Sequence, residues 1–144
     1  MGLSAGWRPH RSVGETREII RDRMSGPWVF AILERESGQL IGSCGFTGRG
    51  RCLVSDTIGY SLRADRWGRG YATEAVRALL GLGFTEVGLQ EIWASYYDGN
   101  AASRRVLEKN GFTYLYAEPL QDELGPHLVH FCRIDREQWQ GESL

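Results

Sequence analysis

The stretch Arg66-Trp67-Gly68-Arg69-Gly70-Tyr71-Ala72-Thr73-Glu74-Ala75 decides the reading of this chain. Before it, Asp56 to Leu62 has strand character. After it, Ala72, Ala75, Val76, Leu79, Leu80 and Gly83 recur at three and four residues, which predicts an amphipathic helix from Tyr71 to about Thr85. Two glycines therefore stand where a strand turns into a helix. A helix start leaves its first amides unpaired and carries about half a positive charge, so it attracts phosphate wherever no side chain keeps the anion away. Gly68 and Gly70 remove those side chains, although the same residues also suit a plain tight turn. A P-loop needs a Lys after its glycines and none follows here; a dinucleotide fingerprint needs a third Gly where Thr73 stands. Both fit poorly.

Upstream, Ser12-Val13-Gly14-Glu15 fits a capping box and predicts a helix over 13–24, stopped by Gly26-Pro27. Trp28 to Glu34 runs apolar without alternation and reads as a strand buried on both faces. A turn at Glu36-Ser37-Gly38 leads to a second strand, Gln39 to Thr47, so the two form an antiparallel hairpin; Gly42 and Gly45 mark bulges or close backbone approach, and Gly48 to Arg51 is an exposed loop. Downstream, Glu91 to Tyr97 is a strand. Asn100 caps a helix that turns Ala102, Val106 and Leu107 inward and ends at a left-handed Gly111. Phe112 to Ala117 and Leu128 to Ile134 are the last strands, and the polar tail from Asp135 is a short helical turn. The order predicts a mixed, mostly antiparallel sheet flanked by helices, of the α/β or α+β class.

Within this order, Trp67-Gly68-Arg69-Gly70-Tyr71-Ala72 resembles the acyl-CoA pyrophosphate loop of the GNAT N-acetyltransferase superfamily, [QR]-x-x-G-x-[GA], with Trp67 in place of Gln or Arg. The run Trp-Gly-x-Gly-Tyr-Ala-Thr-Glu-Ala is similar to the branch of ribosomal-protein N-terminal acetyltransferases. A second element, Asn100-Ala101-Ala102-Ser103 followed by Val106-Leu107-Glu108-Lys109-Asn110-Gly111-Phe112, resembles the family's N-x-x-[AS] … E-K-x-G-F helix and strand. The resemblance covers about Trp7 to Trp139. It implies that acetyl-CoA is the cosubstrate and that the amides of Trp67, Gly68, Arg69, Gly70, Tyr71, Ala72 and Thr73 hold its pyrophosphate. It also implies that Tyr60-Ser61-Leu62 pairs with the pantetheine like an added strand, with the thioester carbonyl at the Leu62 amide. The resemblance further implies that this strand and Ile92 to Tyr96 splay into a V-shaped cleft lined by Asn100, with Arg66 and Arg69 as candidates to add charge around the phosphates.

Acyl transfer to nitrogen needs a neutral amine, an oxyanion partner and a donor for the departing thiolate. An α-amine with a pKa of about 7.7 to 8.0 is roughly a tenth or more neutral at pH 7, and a lysine near about 10.4 only some four times in ten thousand. An α-amino acceptor asks little of a base. Glu118, Asp56, His130 and Glu91 are the candidates, with Glu118 preferred. Where many family members carry a tyrosine acid this chain has Leu107; the ribosomal-protein branch implies Ser103 as hydrogen-bond donor toward sulfur instead. By the same resemblance, the family's opening strand and helix, on the side that borders the acceptor, are expected to be absent before Trp7. The expectation is therefore a single domain over 1–144 that acetylates a primary amine and self-associates as a homodimer. The alternative is a catalytically weak acyl-CoA-binding module.

Composition sets the outer limits. The 144 residues suit one domain, and 42% apolar with 24% charged residues is an ordinary globular balance. A net charge of -1 provides no basic field for nucleic acid, and Arg49-Gly50-Arg51 has no aromatic stacking platform beside it. The longest apolar run, Trp28 to Leu33, is far short of the roughly 20 residues that cross a bilayer, and the start lacks a signal-peptide core. A cytoplasmic protein without membrane partners is expected. Cys44, Cys52 and Cys132 have no C-x-x-C spacing, which argues for small core residues and against a disulfide framework or a bound metal.

Overall fold

The computed structural model describes residues 28–46, 56–122 and 125–139. The helix expected over 13–24, the Gly48 to Arg51 loop and Cys52 lie outside them. Within the described residues, strands β1 (Val29–Leu33), β2 (Leu40–Phe46) and β3 (Ile58–Leu62) precede a single 3-10 turn, Ala64–Arg66, and helix α1 (Tyr71–Leu82). Strand β4 (Glu91–Tyr97), helix α2 (Ala101–Lys109) and strands β5 (Thr113–Asp122) and β6 (Gly125–Asp135) complete the order. The strands form two antiparallel sheets of three, β1-β2-β3 and β4-β6-β5. Among the described residues a parallel bridge, Thr57 to Trp93, joins them.

The hairpin of β1 and β2 carries its irregularity where the glycines fall. Ile32 faces Gly42 but Leu33 faces Leu40, so Ile41 is the extra residue of a bulge, and it is buried. A Cβ on Gly42 would run into the Ser61 carbonyl, and one on Gly45 would lie 2.5 Å from the Trp28 carbonyl. β1 itself is not buried on both faces, as its unbroken apolar run suggests. Among the described residues it pairs only with β2, and a groove of about 520 Å³ separates it from α1, leaving Phe30 38% and Leu33 61% exposed. An apolar run without alternation signals two covered faces only where layers pack on both sides of the sheet, and here the groove leaves the side toward α1 open.

The core lies between the two sheets and the helices on one face. Val76, Leu79 and Leu80 of α1, Phe84, and Leu107 of α2 meet Cys44, Phe46, Ile58, Ile92, Ala94, Cys132 and Ile134. Burying each large apolar side chain is worth about 1.5–3 kcal/mol, so this cluster fixes the two helices against both sheets. α1 ends in a π-helical turn, Gly83–Val87, which the helical spacing alone does not reveal. A Cβ at Gly83 would sit 2.7 Å from Ile92 Cδ1, so any larger residue would have to push Ile92 aside where the helix approaches β4. In α2 the inward stripe is Ser103, Val106, Leu107 and Asn110; Ala102 is exposed, because it lies to the side of that stripe. β5 and β6 extend past the expected ends through Pro119 and Pro126, which is tolerated because β5 is an edge and Pro126 lies beyond the last β4 pairing at Val129. The tail turns once, with the Trp139 amide bonded to the Asp135 carbonyl, and packs the Trp139 ring, tilted, against Phe84.

Candidate active site

Two backbone bonds fix the direction in which β3 faces. The Arg63 amide donates to the Ile41 carbonyl at 2.7 Å, so Arg63 and Ser61 turn their amides toward β2, while Tyr60 and Leu62 turn theirs away from it. At the other end the Trp93 amide donates to the Asp56 carbonyl at 2.8 Å. Pairing between β3 and β4 ends at that bridge, and the strands part toward Leu62 and Tyr97. Ile58, Tyr60 and Leu62 present backbone groups on one wall of the gap, and Ser95 does so on the other. Ser61 departs from the expectation for a pantetheine contact: its backbone is committed to β2 and its hydroxyl lies 3.4 Å from that of Ser43.

The open end of the gap leads to the start of α1. Gly68 and Gly70 have φ of 76° and 82°, in the left-handed region, and no atom lies within 4 Å of where either Cβ would stand. Gly70 is the N-cap and offers no side-chain oxygen, so the amides of Tyr71, Ala72 and Thr73 open the helix without a side-chain cap. The Trp67 amide is already bonded to the Ala64 carbonyl at 3.3 Å, so the open run begins at Gly68 and not at Trp67. Trp67 contributes otherwise: its indole Nε1 donates to the Leu62 carbonyl at 3.0 Å, tying the turn to the strand that feeds it.

A backbone gap between two sheets that runs into a glycine-opened helix N-terminus is a frame for a long anionic ligand with amide groups along its length. Residues 3–113 match the family of the acetyltransferase (GNAT) domain. The chain belongs to that family. It is 36% identical over 83 residues to the uncharacterized N-acetyltransferase p20 of Bacillus licheniformis, covering 58% of this chain and 47% of that one. To the uncharacterized protein YkkB of Bacillus subtilis it is 38% identical over 108 residues, covering 69% of this chain and 62% of that one. The chain thus spans about half the length of the curated relatives it matches. Among solved structures, Mycobacterium smegmatis RimJ in complex with CoA-disulfide superposes with a TM-score of 0.74 at 22% identity, covering 96% of this chain and 73% of that chain. A GNAT-family acetyltransferase from Bacillus anthracis gives a TM-score of 0.75 at 24% identity, with coverage of 88% and 76%.

In this GNAT chain the turn is held from beneath by a residue that local sequence does not reveal. Glu34, at the end of β1, is buried and accepts from Arg66 Nε at 2.8 Å and from the Tyr71 hydroxyl at 3.0 Å. It thereby fastens both flanks of the glycine turn. The Ser37 hydroxyl, the Tyr71 hydroxyl and Arg66 together hold its carboxyl below the usual range, against the opposing effect of burial. Arg66 also bonds Asp65 at 3.0 Å, so it serves this ion-pair cluster and is not a free cation for a phosphate; Arg69 is exposed on the turn. Asn110 adds a second tie, donating to the Thr73 carbonyl at 3.3 Å and so joining the first turn of α1 to the end of α2.

The α2 side of the cleft has the expected cap, with the Asn100 side-chain oxygen accepting from the Ser103 amide at 3.1 Å. The Ser103 hydroxyl meets the Tyr60 hydroxyl at 2.6 Å. Leu107 is 1% exposed in the core. Glu118 stands opposite Val129, which faces Tyr97, whereas α2 covers the face of Ala94 and Cys132. Ser103 and Glu118 are therefore on opposite faces of the second sheet. Glu91 is paired with Arg133 at 3.4 Å, and Asp56 is exposed at the closed end of the cleft. His130 lies on the α2 face, beside a cavity of about 260 Å³, with Asp98 at 2.8 Å from Nε2 and the Tyr114 hydroxyl at 3.0 Å from Nδ1. No group of three or more metal-ligating side chains is assembled among the described residues.

Proposed function

We propose that this chain transfers an acetyl group from acetyl-CoA to a primary amine, an α-amine of a protein N-terminus or a small molecule, by direct attack. The observation that carries this reading is the continuity of three features: the parted strands β3 and β4, the open amides from Gly68 to Thr73 at their mouth, and the Ser103 hydroxyl over the gap. The amides of Gly68, Arg69, Gly70, Tyr71, Ala72 and Thr73 receive the pyrophosphate. The outward amides of Tyr60 and Leu62 bind the pantetheine arm as an added strand would, and Leu62 meets the thioester carbonyl. Donors placed there gain strength as charge develops on that oxygen.

The opposed faces of Ser103 and Glu118 suit a transfer in which the amine enters from one side of the sheet and the thiolate leaves toward the other. Glu118 accepts the proton that the attacking nitrogen sheds, directly or through water. Ser103 donates a hydrogen bond to the departing sulfur. A thiol pKa of about 8.5 makes this sufficient, since the thiolate is already a good leaving group. We further propose a cytoplasmic homodimer whose contact includes the exposed Tyr116 and Leu120, which share one face of the β5–β6 hairpin. Sedimentation showing a monomer would remove that part alone.

Calorimetric titration with acetyl-CoA, CoA and NADH tests the ligand, followed by transfer assays on α-amino and ε-amino acceptors. Micromolar binding of acetyl-CoA and CoA but not NADH, with turnover on α-amines, is expected. Binding without turnover on any amine would replace this reading with a catalytically weak acyl-CoA-binding module. Absence of binding would contradict both.

A further inference from the structure

The Tyr60 and Ser103 hydroxyls meet across the cleft, one from β3 and one from α2, at 2.6 Å, at the short end of the range for O–H···O bonds. Neither geometry nor chemistry makes the pair symmetric. A serine hydroxyl accepts twice and donates once. If serine gave its proton to tyrosine, the tyrosine proton would fall to the Ser103 carbonyl, 3.4 Å away and already within the α2 bonding ladder. If tyrosine gives its proton to serine, the short contact is used and the serine proton is left to point elsewhere.

We propose that Tyr60 is a positioning residue for Ser103, donating to its Oγ so that the serine proton is aimed along the cleft at the sulfur of a bound coenzyme A thiol or thioester. The proposal rests on the acyl-CoA reading of the cleft and adds a role for a side chain on the strand whose backbone binds the ligand.

Burial also keeps the Tyr60 hydroxyl protonated and able to donate. Burial pushes the Tyr60 hydroxyl up to about 12, opposed by the Ser103 bond and reinforced by Cys132 of β6, whose own thiol burial also raises. Tyr60 is therefore protonated throughout the range in which an α-amine reacts. It also keeps that proton: a thiolate of pKa about 8.5 is too weak a base to take it from a tyrosine near about 12. The pair stabilises negative sulfur by hydrogen bonding, with Tyr60 strengthening the serine as a donor, and no O–H bond in it breaks.

The test reads the thiol pKa of CoA bound to the full chain, by thiolate absorbance, in wild type and in Y60F, S103A, S103T and the double variant Y60F/S103A. Wild type is expected to lower the bound thiol pKa by about one unit, a tenfold preference for thiolate. S103A should return it to the free value, S103T should keep the shift, and Y60F should remove at least half of it. The double variant should match S103A, because without serine there is nothing for Tyr60 to position. In turnover, Y60F should reduce kcat several-fold with KM for acetyl-CoA unchanged. A bound thiol pKa in Y60F equal to wild type, or a Y60F effect that persists in full without Ser103, would overturn the proposal. CoA failing to bind the wild type would overturn the acyl-CoA reading itself, a result that differs from either.

Discussion

The two three-stranded sheets of this molecule serve its cleft in different ways. In the proposed function the first, β1-β2-β3, would offer the ligand a backbone: outward amides on β3, then a glycine turn and the bare start of α1. The second, β4-β6-β5, with α2 across one face, presents side chains: Ser103 above the gap, Glu118 on the far face and the aromatic and charged residues of β5 and β6 around them. Backbone recognition depends on strand parity and on φ angles that glycine alone adopts easily. Side-chain chemistry depends on which residues happen to meet across the fold. The comparison predicts that the first region should be sensitive to backbone changes and to the groups that brace it, and the second to the loss of single functional atoms.

Gly70→Val should give the largest effect. At φ 82° a branched side chain strains the backbone, by about 1–2 kcal/mol, and also occupies the space before the open amides. Acetyl-CoA affinity measured by calorimetry should fall by at least tenfold. An unchanged affinity would break the assignment of the turn to the pyrophosphate. Next, Glu34→Ala should weaken CoA several-fold without touching the ligand, since it releases Arg66 and Tyr71 together. A CoA affinity equal to wild type would mean that the turn needs no brace.

Much of this arrangement was legible in the sequence, and the division follows the same line. The glycine turn, the helix after it, the strand Glu91–Tyr97 and the Asn100 cap are local events, set by periodicity, capping chemistry and left-handed φ, and the structure has each where the residues placed it. Glu34 was not legible, because its partners Arg66 and Tyr71 are remote in sequence and nothing near Glu34 points to them. The Tyr60–Ser103 contact was hidden for the same reason, although both residues were singled out separately. The exposed side of β1 and the π-helical turn after α1 are likewise tertiary outcomes: the first follows from the groove left between β1 and α1, and the second lies where Gly83 packs against Ile92 and Phe46.

A pH series sharpens the role of Glu34. Because its folded pKa is depressed, its stabilising contacts are fully present above the unfolded value of about 4.3 and are lost as pH falls through the lower folded value. CoA affinity should therefore show an acid step below about pH 4.3 that Glu34→Gln removes. A step of the same size in that variant would assign it to another carboxylate. The smallest effect belongs to the second sheet: Glu118→Gln should lower kcat on an α-amine only a few-fold, with acetyl-CoA affinity unchanged, and more strongly on a lysine ε-amine, which depends more on a base. Equal loss on both amines would argue against Glu118 as the proton acceptor.

The most direct measurement of the central claim is the perturbation of backbone amide resonances when CoA is added to the isotope-labelled full chain. Division of labour between the sheets predicts large shifts at Tyr60, Leu62 and Gly68 through Thr73, and a much smaller one at Ser61, whose amide is turned toward β2. Shifts gathered instead around the cavity of Tyr96, Tyr114 and His130, with the glycine turn silent, would contradict it.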